Sequence, residues 1–210
     1  MIRMLLVRHG ETEWNGAGRL QGRQDIALSP AGRAQIAELV PAIAAHAPRR
    51  VITSSLRRTR ESAEALGLSV SRQDPRLDEA HLGSWEGQQS ARLQELDPEA
   101  YRAWRCGELR PPGGESFGEL TERVVAAVAE AAREVAAGGH GSVLVLTHGG
   151  PIRALLRHAI GLDPARAVPS HPASLSVLDV DEQRELGEEG ACRLRLYNYA
   201  PSAALVEPSD

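Results

Sequence analysis

The chain has 210 residues, with 28 acidic against 24 basic and a formal net charge of −4, a length that predicts one domain of ordinary size with a core that needs no disulfide or metal staple. Every basic side chain apart from histidine is Arg and none is Lys, which excludes a Schiff-base lysine and a Walker-type phosphate loop. Three Trp, three Tyr and one Phe on a mildly acidic chain give neither the stacking platform nor the basic face of a nucleic-acid binder.

Residues 2–7 form a short apolar run stopped at Arg8-His9-Gly10, which predicts a buried strand. The apolar stretch is too short for a signal peptide, and no run approaches the length of a membrane span. The polar, Gly-rich residues 10–28 read as a long functional loop. Ser29-Pro30, an N-cap with Pro at the first helical position, opens a helix expected to reach Ala45. Val51-Ile52-Thr53 predicts a brief second strand. Leu56, Thr59, Ala63 and Leu66 recur at helical spacing.

Between Asp74 and Pro112 the pattern is irregular, with short helical pieces over 88–96 and 99–104. Ser116-x-x-Glu119 is a capping box and opens the clearest helix of the sequence, to Ala137. Ser142–Leu146 is the strongest strand. It runs into Thr147-His148-Gly149-Gly150 and a helix from Pro151 to Ile160. Two late strands, 174–180 and 193–197, flank an acidic turn at 181–190, and a Pro/Ser-rich tail follows Ala200. Cys106 and Cys192 lack C-x-x-C spacing, so a reducing, cytoplasmic setting is expected. Strands alternating with helices predict an α/β three-layer sandwich over a mostly parallel sheet, one domain across 1–200.

Three strands end in polar residues instead of turn chemistry: Arg8-His9-Gly10, Thr53-Ser54 with Arg58 beyond it, and Thr147-His148-Gly149-Gly150. In an open α/β sheet, ligands bind outside the carboxyl ends of the strands, so neighbouring strands would bring two histidines and two arginines to one rim. Guanidinium forks grip phosphate oxygens with a charge that does not titrate away, and a neutral imidazole is a competent nucleophile at phosphorus. Such a cage stabilises the charge of an in-line displacement without a metal. The departing alcohol then needs a proton from a nearby carboxylic acid.

Read together, Leu5-Leu6-Val7-Arg8-His9-Gly10-Glu11-Thr12, Thr53-Ser54-Ser55-Leu56-Arg57-Arg58-Thr59, Leu77-Asp78-Glu79-Ala80-His81-Leu82-Gly83 and Thr147-His148-Gly149-Gly150 resemble the ordered motifs of the histidine phosphatase superfamily, the phosphoglycerate-mutase-like proteins. The resemblance implies that His9 becomes a phosphohistidine, that Arg8, Arg58 and His148 bind the phosphoryl oxygens with Asn15 as a further donor, and that Glu79 is the general acid. It also implies substrate contacts from Gln21, Gly22 and Gly149, a small phosphorylated metabolite as substrate, no cofactor and no metal, and leaves a homodimer open. Neighbouring arginines favour the carboxylate form of Glu79, so the acid is expected to be competent mainly with phosphate bound. Where the family usually has Gln-Thr this chain has Glu61-Ser62, with little effect on chemistry expected.

The short segment from Trp104 to Ser116 favours a phosphatase, because a long lid that excludes water is missing; transfer between hydroxyls of phosphoglycerate is the alternative, and outside the family a non-catalytic phosphate-binding module. Arg19, Arg23, Arg105 and Arg110 have two readings, contact with a substrate carboxylate or second phosphate and a solvent-facing position, of which the second is favoured, as it is for Arg57 and Arg60; His171 reads as surface or structural, ahead of a strand at the border of the pocket. His46, His140 and His158 read as surface or structural residues, and Trp85 as packing. Gly114-Glu115-Ser116-Phe117-Gly118 fits the nucleophile elbow G-x-S-x-G but lacks the strand that motif needs, so Ser116 is assigned to the helix cap.

Overall fold

A computed structural model describes residues 1–139 and 141–201; the expected tail beyond Ala200 and His140 lie, apart from Pro201, outside the described residues. Its centre is one six-stranded sheet built from β1 (Ile2–Arg8), β2 (Arg50–Thr53), β3 (Arg72–Gln73), β4 (Ser142–Thr147), β5 (Leu175–Val180) and β6 (Cys192–Tyr199), in the spatial order β3-β2-β4-β1-β5-β6. β4 pairs in parallel with both β1 and β2, and β2 with β3, while β5 runs antiparallel to β1 and to β6. The sheet is therefore mostly parallel through its centre and closes on one side as a hairpin.

Period-two alternation assigns each strand's side chains to one of two cores. Ile2, Met4, Leu6, Val143 and Val145 pack beneath helices α7 (Phe117–Ala137) and α8 (Gly149–Ile160). Leu5, Val7, Leu144 and Leu146 pack on the other face, against α2 (Pro30–Ala37), α3 (Val40–Ala44) and α4 (Arg57–Ala65). Burial on both faces explains why the central strands read as near-continuous apolar runs. A third cluster of Leu20, Leu82, Leu93 and Trp104 joins the 19–22 loop to α5 (Ser90–Leu96) and α6 (Pro98–Arg105).

The local signals act where they stand. Ser29 caps α2 through Gly32 N, and Ser116 and Glu119 form the reciprocal capping box of α7. Gly161, at φ +67°, ends α8 in the left-handed conformation that glycine adopts without strain. Three expectations need correction. The helix expected from 30 to 45 is two helices, because Pro41 has no amide hydrogen for a continuous ladder. The loop expected over 10–28 contains a helical turn, α1 (Glu13–Gly16), capped reciprocally by Thr12 and Asn15. β3 is two residues long without an apolar run, too short to leave a periodic signal.

Candidate active site

The carboxyl ends of β1, β2 and β4 lie side by side, and the side chains beyond them converge. Arg58, in the first turn of α4, is fully buried. Its Nε–H is shared between His9 Nε2 (3.2 Å) and His148 Nδ1 (3.1 Å), while Nη1 donates to Gln24 O (2.7 Å) and Nη2 to Gly22 O (2.9 Å). The two imidazole rings are 5.1 Å apart. Both are buried, so the guanidinium holds two rings and a loop in one arrangement.

These bonds fix the tautomers. His9 Nδ1 lies 2.7 Å from Gly10 O, a pure acceptor, so Nδ1 carries the hydrogen and Nε2 keeps its lone pair toward the cage. Burial, and then the positive charge of Arg58 and Arg8, pushes the His9 pKa well below the ordinary imidazole value. His148 is lowered in the same way by burial and by Arg58. Its Nε2 is 2.8 Å from Ser54 Oγ, which in turn contacts Thr59 Oγ1 at 3.0 Å. Burial lowers Arg58 to about 10, which leaves it cationic at neutral pH. The arrangement therefore presents a neutral nitrogen lone pair beside fixed positive charge, which suits capture of an electrophilic anion.

Arg8 donates from Nη1 to Ser170 O at 2.6 Å, and Gly149, next to His148, sits close enough that a side chain there would pack against the Arg8 guanidinium. Glu79 approaches from a loop after a 3-10 turn at Pro75–Leu77. Its Oε1 accepts from Gly150 N (3.1 Å), at the start of α8, and from Ala80 N (2.8 Å). A Cβ at Gly150 would stand 2.3 Å from Glu79 Oε1 and would push the carboxylate aside.

One cavity, about 890 Å3 counting its open mouth, collects most of these groups. Arg8, His9, Arg58, Glu79, Gln21, Gly22 and Gly149 line it; His148, expected among the phosphate-binding groups, does not, because its ring nitrogens are taken by Arg58 Nε and Ser54 Oγ. Asn15 does not line it: Asn15 Oδ1 accepts from Thr12 N and Oγ1, and its buried Nδ2 has no hydrogen-bond partner among the described residues. His171 lies outside the lining as well, while its neighbour Ser170 contributes.

Of the arginines expected to face solvent, Arg19 donates to Gly87 O, Arg23 pairs with Glu115 and Arg110 with Glu119, all away from the cavity. Arg57 is exposed and pairs with Glu61, whereas Arg60 is half-buried and donates to Ser55 O. Arg105 corrects the expectation: it ends α6 half-buried in the cavity wall, with its guanidinium 5.8 Å from the Trp104 ring. Arg153 faces the same space and was missed. Its signal was available, since it follows Gly149 and Gly150 by one turn on α8 and so shares their face. Trp85 packs edge-on against Trp104, and Ser116 acts as the helix cap.

Glu61 and Ser62 lie beneath the nucleophile loop. Ser62 Oγ accepts from Gly10 N (3.3 Å) and donates to Arg58 O (2.7 Å), and Glu61 accepts from Leu28 N (2.8 Å) and pairs with Arg57 and Arg33. They brace the loop and do not enter the cavity.

The chain is similar to known proteins over most of its length. The family model described as histidine phosphatase superfamily (branch 1) matches residues 4–189. The chain is 36% identical to the glucosyl-3-phosphoglycerate phosphatase of Mycolicibacterium vanbaalenii, over 76% of this chain and 75% of that protein. It is 34% identical to a probable phosphoglycerate mutase of Yersinia enterocolitica, over 87% and 86%. The solved structure of a mycobacterial glucosyl-3-phosphoglycerate phosphatase in complex with VO3 superposes with a TM-score of 0.81 at 32% identity, covering 95% of this chain and all of that one.

Proposed function

The chain belongs to the histidine phosphatase superfamily (branch 1), and from that premise we propose that it hydrolyses a small phosphomonoester through a phosphohistidine on His9. The observation that carries the reading is the His9 tautomer: the Gly10 carbonyl holds the hydrogen on Nδ1 and leaves the Nε2 lone pair beside the Arg58 guanidinium.

Nε2 attacks phosphorus in line and the P–O bond to the alcohol breaks, with Glu79 supplying the proton the leaving oxygen takes. Arg8 and Arg58, which line the cavity, stabilise the charge on the equatorial oxygens, and His148 acts through its hydrogen bond to Arg58. Glu79, now a carboxylate, takes a proton from water as that water attacks the phosphohistidine. Inorganic phosphate is released, and His9 and Glu79 return to their starting states. Hydrolysis is favoured over transfer because the segment from Trp104 to Ser116 gives the cavity only Trp104 and Arg105, both at the end of α6, and none of residues 106–116 covers it as a lid against water.

The organic part of the substrate would rest against Leu20, Trp104 and Leu156, with Arg105 and Arg153 in reach of a carboxylate. Glucosyl-3-phosphoglycerate, the substrate named for three of the relatives, carries such a group and heads the candidates. The test is release of phosphate from p-nitrophenyl phosphate, 3-phosphoglycerate and glucosyl-3-phosphoglycerate, with EDTA present. Wild type is expected to turn over and to trap an acid-labile phosphoenzyme on quenching. His9→Ala is expected to lose at least on the order of 10⁴-fold in rate and all of the trapped phosphate. A His9→Ala protein that keeps its activity ends the proposal.

A further inference from the structure

We propose that Arg123 and Glu115 together form a clamp that positions Glu79, and that their contribution to catalysis is confined to protonation of the leaving group. The inference rests on the assignment of Glu79 as the acid. Arg123 stands on the second turn of α7 with a side chain only 16% exposed, beside Glu115 at 12%. Neither lines the cavity.

All five N–H groups of the Arg123 guanidinium are engaged. Nη1 donates to Arg76 O (2.8 Å) and Asp78 O (2.7 Å), Nη2 to Glu79 O (3.0 Å) and Glu115 Oε1 (2.6 Å), and Nε to Glu115 Oε2 (3.0 Å). Three carbonyls within four residues of chain are thus held by one rigid fork, and one belongs to Glu79 itself. Glu115 completes the grip from the other side: Oε1 accepts from His81 N (2.8 Å), and the Glu115 amide donates to His81 O (2.8 Å). Gly114 makes this approach possible, since a Cβ there would meet His81 O at 2.4 Å.

The loop bearing Glu79 has no ladder of its own between the 3-10 turns at Pro75–Leu77 and Gly83–Trp85. Its carbonyls would otherwise need water or a different backbone path. An ammonium with three donors cannot reproduce a planar five-donor fork, so Lys at 123 is not conservative here. A proton donor displaced by about 1 Å loses much of its effect. The hydrogen bonds of the phosphate cage come from other elements; the clamp reaches it only at its edge, through the Arg23–Glu115 pair (3.5 Å) and the Ser55 contacts of Asp78.

The experiment compares kcat/KM for an alkyl phosphate, whose alkoxide needs a proton to leave, with that for 2,4-dinitrophenyl phosphate, whose phenolate leaves without one. Wild type, Glu79→Gln, Arg123→Lys and Glu115→Gln are measured, with vanadate inhibition as the readout of the cage and thermal melting as the readout of folding. The clamp variants are expected to lose about 10²-fold on the alkyl substrate, less than about threefold on the dinitrophenyl ester, and to keep the vanadate affinity. Equal losses on both substrates, or no loss on either, in folded Arg123→Lys and Glu115→Gln overturn the clamp while leaving the acid in place. If Glu79→Gln itself shows no dependence on the leaving group, the acid assignment fails, and the clamp fails with it.

Discussion

Arg58 and Glu79 face one cavity, yet they are held by different means. Arg58 leaves the first turn after β2 and gives its hydrogens to two imidazoles just beyond the parallel strands β1 and β4 and to two carbonyls of the 10–28 loop, Gly22 and Gln24. Glu79 stands on a loop without strand pairing and is aimed by Gly150 N, Ala80 N and, through its backbone, by a guanidinium 44 residues further along the chain. The cage inherits its rigidity from the sheet. The acid arm is assembled from separate helices, so substitutions there can disturb proton delivery while phosphate capture survives.

The strongest way to break this comparison is Arg58→Lys. Losing the fork should cost every substrate alike, on the order of 10²- to 10³-fold in kcat/KM, and should weaken vanadate binding in parallel. A loss confined to poor leaving groups would show that cage and arm are one unit. Gly150→Ala sharpens the other side. Its Cβ would displace Glu79 while the change suits a helix, so about a tenfold loss on alkyl phosphates is expected with an unchanged or slightly raised melting temperature. A large fall in stability would count against that reading.

The smallest effect concerns pH. His9 and His148 stay neutral in the native state because burial, and then Arg58, lowers their pKa, whereas the unfolded chain protonates them near 6.5. Below that pH the unfolded state binds more protons, so their stabilising contribution is full above 6.5 and declines as pH falls. Each imidazole should add about 1.4 kcal/mol per pH unit to that slope. Urea midpoints between pH 7.5 and 5.5, in buffers free of phosphate, should decline less steeply in His148→Gln than in wild type; equal slopes refute the linkage.

What the sequence discloses follows the same division. β1 and β4 are legible as apolar runs ending in Arg8-His9 and Thr147-His148, because burial on both faces leaves a compositional mark. Arg58 is legible from its motif, though not its complete burial. Arg105 departs from its favoured solvent-facing reading because α6 turns its last residue toward the cavity beside Trp104, an orientation that depends on packing against α8. The Arg123 contacts with Arg76, Asp78 and Glu79 leave no pattern at all, since they join a helix to carbonyls more than 40 residues away. Backbone acceptors carry no residue identity for a reader to notice.

The imidazole of His9 is aimed by the peptide oxygen of the very next residue. Mutational drift elsewhere cannot easily turn that ring, because its reference point is main chain and not a replaceable side group. Removal of the Glu79 carboxylate would therefore leave the orientation of this ring untouched.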